Sequence, residues 1–173
     1  MLIESGPAIL VTTYGKGRDN IMTISWHMVL DFTPRIALTA GPWNYSFQAL
    51  MNTKECVLAV PTIDLAEKVV KIGDCSGADT DKFKTFRLTP LPATEVKAPL
   101  VSECLACIEY CVTGHLEPPS IFILDRLRAW IDEKRKNMAG MGHSCISDFF
   151  ICGCFFGMDY FVKILCGGAG NGL

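Results

Sequence analysis

One β-rich α+β domain is the fold class this sequence predicts, and three observations predict it. Apolar and β-branched runs recur along the chain, separated by Gly, Pro, Asn and Asp. Only short stretches carry a helical period. Half of the 173 residues are apolar, enough for a full hydrophobic core without staples. The length is that of one domain.

Each element follows in order. Ala8 to Tyr14 reads as a strand, and Gly15 to Asn20 as a turn, because glycine supplies positive φ and Asp/Asn bond their own backbone. Ile21 to Leu30 is a second strand, forming a hairpin with a long loop. Arg35 to Thr39 is a third strand. Gly41-Pro42 punctuates, and Asn44 to Met51 reads as a short helix. Glu55 to Val60 is a strand stopped by Pro61. Asp64 to Ile72 is the clearest helix: Asp64 and Glu67 have capping-box spacing, and Leu65, Val69 and Ile72 share a face. A loop follows from Gly73 to Asp79, then a helical turn over Asp81 to Phe86. Pro90, Pro92 and Pro99 mark an irregular crossing. Glu103 to Thr113 and Ile121 to Ile131 read as strands.

Composition changes after Asn137. Residues 138–173 hold eight glycines, four cysteines and three charged side chains, with no clean period. The expected organisation is a domain over 1–137 and an atypical C-terminal tail over 138–173, which either completes the same domain or is disordered. No internal repeat or linker is evident elsewhere.

The net charge of −2 gives no basic field, so nucleic acid is not an expected partner. Met1 to Leu10 carries Glu4 and Pro7 without a basic run, unlike a signal peptide. The most apolar stretch, Ile146 to Leu165, is interrupted by Asp148, Gly153, Gly157, Asp159 and Lys163. It falls short of the ~18 clean residues of a spanning helix. A cytoplasmic chain with reduced thiols and no membrane contact is expected.

The chemistry-bearing stretch is Asn20 to Phe86. A strand carries Thr23, Ser25 and Trp26 close together. The next strand ends in Gly41-Pro42-Trp43-Asn44-Tyr45-Ser46-Phe47 and turns into a helix. Such a corner can cradle an anion: glycine admits close backbone approach, a helix start offers unpaired N–H donors, and Asn44 and Ser46 add side-chain donors. The polar loop Cys75-Ser76-Gly77-Ala78-Asp79-Thr80-Asp81-Lys82-Phe83 can lay backbone groups along a ring system. Residue types alone reach only a phosphate-bearing cofactor. A strand-to-helix corner with buried aromatics and a capped polar connection are the plain alternatives.

The runs DNIMTISW, PRIALTAGPWNYSF and SGADTDKF resemble the flavin reductase-like, FMN-binding split-barrel family, and within it the flavoredoxin branch. KAPLVSECLACIEYCV and IFILDRLRAWID resemble later strands of that family, in order, so the resemblance covers Pro7 to Asn137. It implies an FMN-binding split β-barrel with short covering helices. Thr23, Ser25, Trp26 and Met28 would line the flavin. Ala40 and Gly41 would let it approach, and Asn44, Tyr45 and Ser46 would hold its phosphate or ribityl end. Ser76, Gly77, Asp81, Lys82 and Phe83 would contact it from the loop. The resemblance also implies a homodimer, NADH or NADPH as reductant, and in some members a redox partner protein. The tail departs from the family pattern, and His115 is spaced differently from a family histidine, so it takes no role.

Cys104, Cys107 and Cys111 have a spacing that invites a metal. On a strand, however, Cys107 and Cys111 share one face and Cys104 the other, so buried apolar thiols are expected. Cys152 and Cys154 lack a second ligand pair. Cys75, beside the polar loop, is expected to be inert. His27 reads as a structural or solvent-facing histidine, and its place beside the site leaves a nicotinamide-positioning role open. His143 takes no role, and Gly167–Gly172 reads as a chain end. Trp43 and Trp130 read as packing anchors. Three functions stay open: an FMN-dependent NAD(P)H oxidoreductase, a flavoredoxin-like FMN electron carrier reduced by a partner protein, and a cysteine metal-binding or structural β domain.

Overall fold

The structure, a computed structural model, describes residues 7–138 and 162–164. The sequence readings of His143, Cys152, Cys154 and Gly167–Gly172 fall outside them. Seven strands are β1 (Ile9–Gly15), β2 (Arg18–Ile24), β3 (His27–Val29), β4 (Ile36–Thr39), β5 (Glu55–Val60), β8 (Ala106–Leu116) and β9 (Ile121–Ile131). They form one antiparallel sheet in the order β2-β1-β5-β8-β9-β4-β3. Its two end strands are consecutive in the chain, joined only by Ser25 and Trp26. A sheet whose ends are tied by two residues must curl until they meet, giving the barrel shape that the resemblance implies. A short strand β10 (Val162–Ile164) runs parallel to the end of β9, with Val162 opposite Ala129.

The expected single strand from Ile21 to Leu30 is therefore two. Its first half pairs with β1 and its second with β4. The hairpin before it has no long loop. Gly15 pairs with Arg18, and Lys16 and Gly17 make the turn at φ 53° and 79°. Positive φ at both central residues is what a two-residue hairpin turn needs, and it matches the twist of the strands.

The central strands β1, β5 and β8 bury successive residues because both of their faces are covered. On one face Ile9, Val11, Met22, Ile24, Leu38, Leu58, Tyr110 and Phe122 fill the barrel. On the other, Leu10, Ile21, Val57 and Ala59 pack beneath the covering segments. These are α2 (Ala66–Gly73), α3 (Lys82–Thr85) and the proline-rich crossing with its small ladder β6 (Pro90–Leu91) and β7 (Leu100–Val101). A further helix, α1 (Phe47–Thr53), puts Phe47 and Leu50 into the barrel.

Leu65, Val69 and Ile72 are buried together, as their spacing predicts. The capping box is not made. A 3-10 turn over Ile63–Leu65 precedes α2, whose start takes no side-chain cap, and Glu67 pairs instead with Lys71 at 2.6 Å. The i,i+4 geometry offers Glu67 a cation on the same helix face. Cys104 is also placed differently. It precedes β8 in a turn, so strand alternation does not apply, and it joins Cys107 in one buried cluster. Burial pushes the Cys107 thiol up to about 12.

One buried carboxyl organises the covered face. Glu109 has no exposed surface. Its Oε1 accepts from the Trp130 indole N–H at 2.6 Å. Its Oε2 accepts from the backbone N–H groups of Thr94, Glu95 and Val96 at 3.1, 2.6 and 3.2 Å. The crossing has few ladder partners of its own, so Glu109 satisfies donors that would otherwise be buried unpaired. Trp130 is thus a packing anchor with a polar tie. Glu109→Ala should cost about 3 kcal/mol, the scale of stranding several buried donors. Urea unfolding checks this, and a loss under about 1 kcal/mol would show that the crossing is held by other contacts.

Candidate functional site

Barrel closure brings the β2–β3 joint beside the strand-to-helix corner. The Thr39 N–H donates to the Trp26 carbonyl at 2.9 Å. The corner is fixed from behind by the β8–β9 turn: Ala40 N–H donates to the Ser120 carbonyl at 3.3 Å, and the Ser120 hydroxyl to the Ala40 carbonyl at 2.8 Å. His115 sits near that turn, stacked on Phe122 with ring centroids 4.4 Å apart.

The corner closes on itself. Gly41 N–H donates to Asn44 Oδ1 at 3.1 Å, and Asn44 N–H to the Gly41 carbonyl at 2.8 Å. The Asn44 side-chain oxygen is thereby engaged, and its amide nitrogen carries two N–H donors. Ser46 is buried and braces the corner from inside. Its hydroxyl accepts from Thr13 Oγ1 at 3.2 Å and from Asn20 Nδ2 at 2.7 Å. Thr13 and Asn20 face each other across β1 and β2.

Arg18 joins the corner to the polar loop. Its guanidinium donates to the Tyr45 hydroxyl at 2.7 and 3.1 Å and also to the Gly77 carbonyl. Gly77 lies so close that a Cβ there would stand 2.6 Å from the Tyr45 ring and would also strike the Asn20 amide. A glycine is required by this approach, not by its φ. Within the loop, Ser76 Oγ accepts from Ala78 N–H at 3.1 Å, and Asp81 caps α3 through Lys84 N–H at 3.1 Å.

Several expected site residues have structural partners. Thr23 Oγ1 donates to the Val69 carbonyl at 2.5 Å, docking β2 on α2. Lys82 is buried, and its ammonium donates to the Ile72 carbonyl at 2.8 Å. Burial lowers its pKa, opposed by the neighbouring Cys75 thiol. Phe83 belongs to the covered core. Ser25 is half-buried at the joint, while Trp26 and Met28 are 57% and 59% exposed. A ring nitrogen of His27 lies 2.8 Å from the Pro7 carbonyl. Trp43, expected as a packing anchor, is mostly exposed.

Sequence reasoning missed Arg18, Asn20 and Thr13. Arg18 and Asn20 looked like turn residues, but their i,i+2 spacing puts them on one face of β2. A cleft of about 370 Å³ opens beside the loop, lined by Arg18, Asp19, Thr80, Asp81, Phe83, Lys84, Leu88 and Pro90. Partial covering there, and then the charge of Asp81, pushes the Asp19 carboxyl up. No residue of the Ala40–Ser46 corner lines this cleft. The corner itself fits a flat, phosphate-bearing group. A ring that takes the place of the exposed Trp43 indole over Gly41 meets bare backbone, and Asn44, Arg18 and the Tyr45 hydroxyl supply polar contacts around it.

The family model described as "Flavin reductase like domain" matches residues 1–143. An uncharacterized protein of Archaeoglobus fulgidus is 35% identical over 104 residues, which are 60% of this chain and 59% of that one. The chain thus spans about three-fifths of that curated relative. The flavoredoxin of Desulfovibrio vulgaris (Miyazaki F) superimposes with a TM-score of 0.73 at 28% identity, covering 77% of this chain and 73% of its own. An FMN-binding domain of a flavin reductase-like enzyme from Shewanella baltica OS155 has the same split-barrel fold. Its TM-score is 0.69 at 23% identity, covering 81% and 76%.

Gly77→Ala tests whether corner and loop act as one site. The added methyl must push the loop off Tyr45 and Asn20. FMN affinity should fall about tenfold, or about 1.4 kcal/mol, with an unchanged far-ultraviolet circular dichroism spectrum. Unchanged affinity in an FMN titration would separate the loop from the site.

Proposed function

The chain belongs to the flavin reductase-like family, and from that premise we propose that it binds FMN and passes electrons between NADH or NADPH and that flavin. The observation that carries this reading is the convergence of corner and loop through Arg18. FMN, when bound, supplies the electron-transfer chemistry. The residues of this chain bind and orient. Ser25, Trp26 and Met28 line the joint, and Ala40 and Gly41 let the ring approach. Asn44 and Tyr45 hold the polar end, with Ser46 and Arg18 fixing the corner. Ser76 and Gly77 close over it, and Asp81, Lys82 and Phe83 hold the loop in place.

A second reading, a flavoredoxin-like carrier reduced by a partner protein, is favoured by the likeness to the Desulfovibrio flavoredoxin. Anaerobic addition of NADH and NADPH to the FMN-loaded protein separates the two. The proposed enzyme loses its flavin absorbance within seconds with at least one nucleotide. Absorbance that persists with both supports the carrier and contradicts direct nicotinamide oxidation.

We also propose a homodimer. Trp26 just before β3, Met28 and Val29 within it, and Leu30 and Phe32 beyond it are exposed, and β3 is an end strand of the sheet. A contiguous apolar edge of this kind invites a partner, and a second copy is the one proposed. Among the described residues no helix is long and apolar enough to cross a membrane. Free thiols at Cys56, Cys75, Cys104, Cys107 and Cys111 support a reducing, cytoplasmic setting. Sedimentation should show dimers for the native chain and monomers for Met28→Asp combined with Phe32→Asp. Dimers that survive both charges would move the interface elsewhere.

A further inference from the structure

Gly41 is buried, yet Trp43, two residues on, is 66% exposed. A Cβ at Gly41 would lie no more than 2.6 Å from three carbons of the Trp43 six-membered ring. One edge of the indole therefore rests on the Gly41 backbone, in space that any side chain would fill. The seat beneath it is rigid, because Gly41 is bonded on both sides to Asn44 and Ala40 is held by Ser120. The ring above it is held weakly, because most of its surface stays in water. Pro42 fixes the backbone between them, so the indole leaves by rotating its own side chain. Exposed side chains do this in picoseconds to nanoseconds, which makes occupancy an equilibrium and not a slow gate.

A seat that accepts the flat edge of an indole accepts other flat aromatic rings. We propose that Trp43 is an internal competitor for the flavin ring: its indole occupies the Gly41 seat in the free protein and yields it when flavin binds. This rests on the FMN reading above and adds a residue that sets flavin affinity. The covered fraction of the protein binds no flavin ring, so the apparent dissociation constant rises by the inverse of the open fraction. Removing the indole returns that factor.

The test is titration of flavin-free protein with FMN and with riboflavin, for the native chain and for Trp43→Ala. Trp43 is exposed, so the variant keeps the fold. Both ligands should bind Trp43→Ala more tightly by the same factor, about fivefold if the seat is covered four-fifths of the time. Equal or weaker binding of the variant overturns the inference while leaving the FMN reading intact. A gain for FMN but not for riboflavin also overturns it, because the effect would then lie at the phosphate end. If neither protein binds either flavin, the FMN reading fails and the inference falls with it. A nuclear Overhauser contact between the Trp43 six-membered ring and the Gly41 α-protons should be present without flavin and lost with FMN. Its absence from the free protein overturns the proposal whatever the affinities are.

Discussion

The short tie between β2 and β3 is the constraint on which the rest of the structure depends. Ser25 and Trp26 connect the two ends of a seven-stranded path, so the sheet cannot lie open. Closure makes an interior, and every second residue of the central strands then has apolar neighbours on that side. It also sets the joint against Thr39, whose N–H reaches the Trp26 carbonyl. The corner begins at the next residue, so setting the joint beside the corner needs no further device.

Closure leaves the outer face to be covered by segments with little regular structure. α2 and α3 are short, and the crossing from Pro90 to Pro99 has only a two-residue ladder. Glu109 compensates by collecting three backbone donors and an indole N–H on one carboxyl. The same logic recurs at smaller scale beside the site. Arg18 takes a hydroxyl from the corner and a carbonyl from the loop, and Lys82 takes the Ile72 carbonyl at the last turn of α2. Charged and polar side chains of the strands and α3 thus hold segments whose own backbone bonding is sparse.

Much of this was legible in the residues, and the failures have physical causes. β5 and β9 run as read, because Pro61 ends β5 and turn residues flank runs rich in apolar and β-branched side chains. Asp81 caps α3 as its position suggests. The hairpin after β1 was misread because six consecutive turn-forming residues look like a long loop, whereas pairing extends through four of them. The break at Ser25–Trp26 leaves no local mark, since the strand period continues across it and only the partner changes. Residue types alone marked the corner and the loop as a cradle for a phosphate-bearing group, and the resemblance supplied the expectation of flavin. Arg18 escaped because its role is long-range, spanning 27 residues to Tyr45 and 59 to Gly77. Lys82 and Thr23 show the converse, with polar groups beside the site turned to neighbouring backbone carbonyls.

We propose that barrel closure, with Arg18 bridging to the loop, gathers three sequence-distant segments around one flavin. Amide hydrogen exchange, followed by mass spectrometry with and without FMN, tests this arrangement. FMN should slow exchange together in 23–28, 40–47 and 76–83. Slowing confined to the cleft around Leu88 and Pro90, with the corner unchanged, would contradict it.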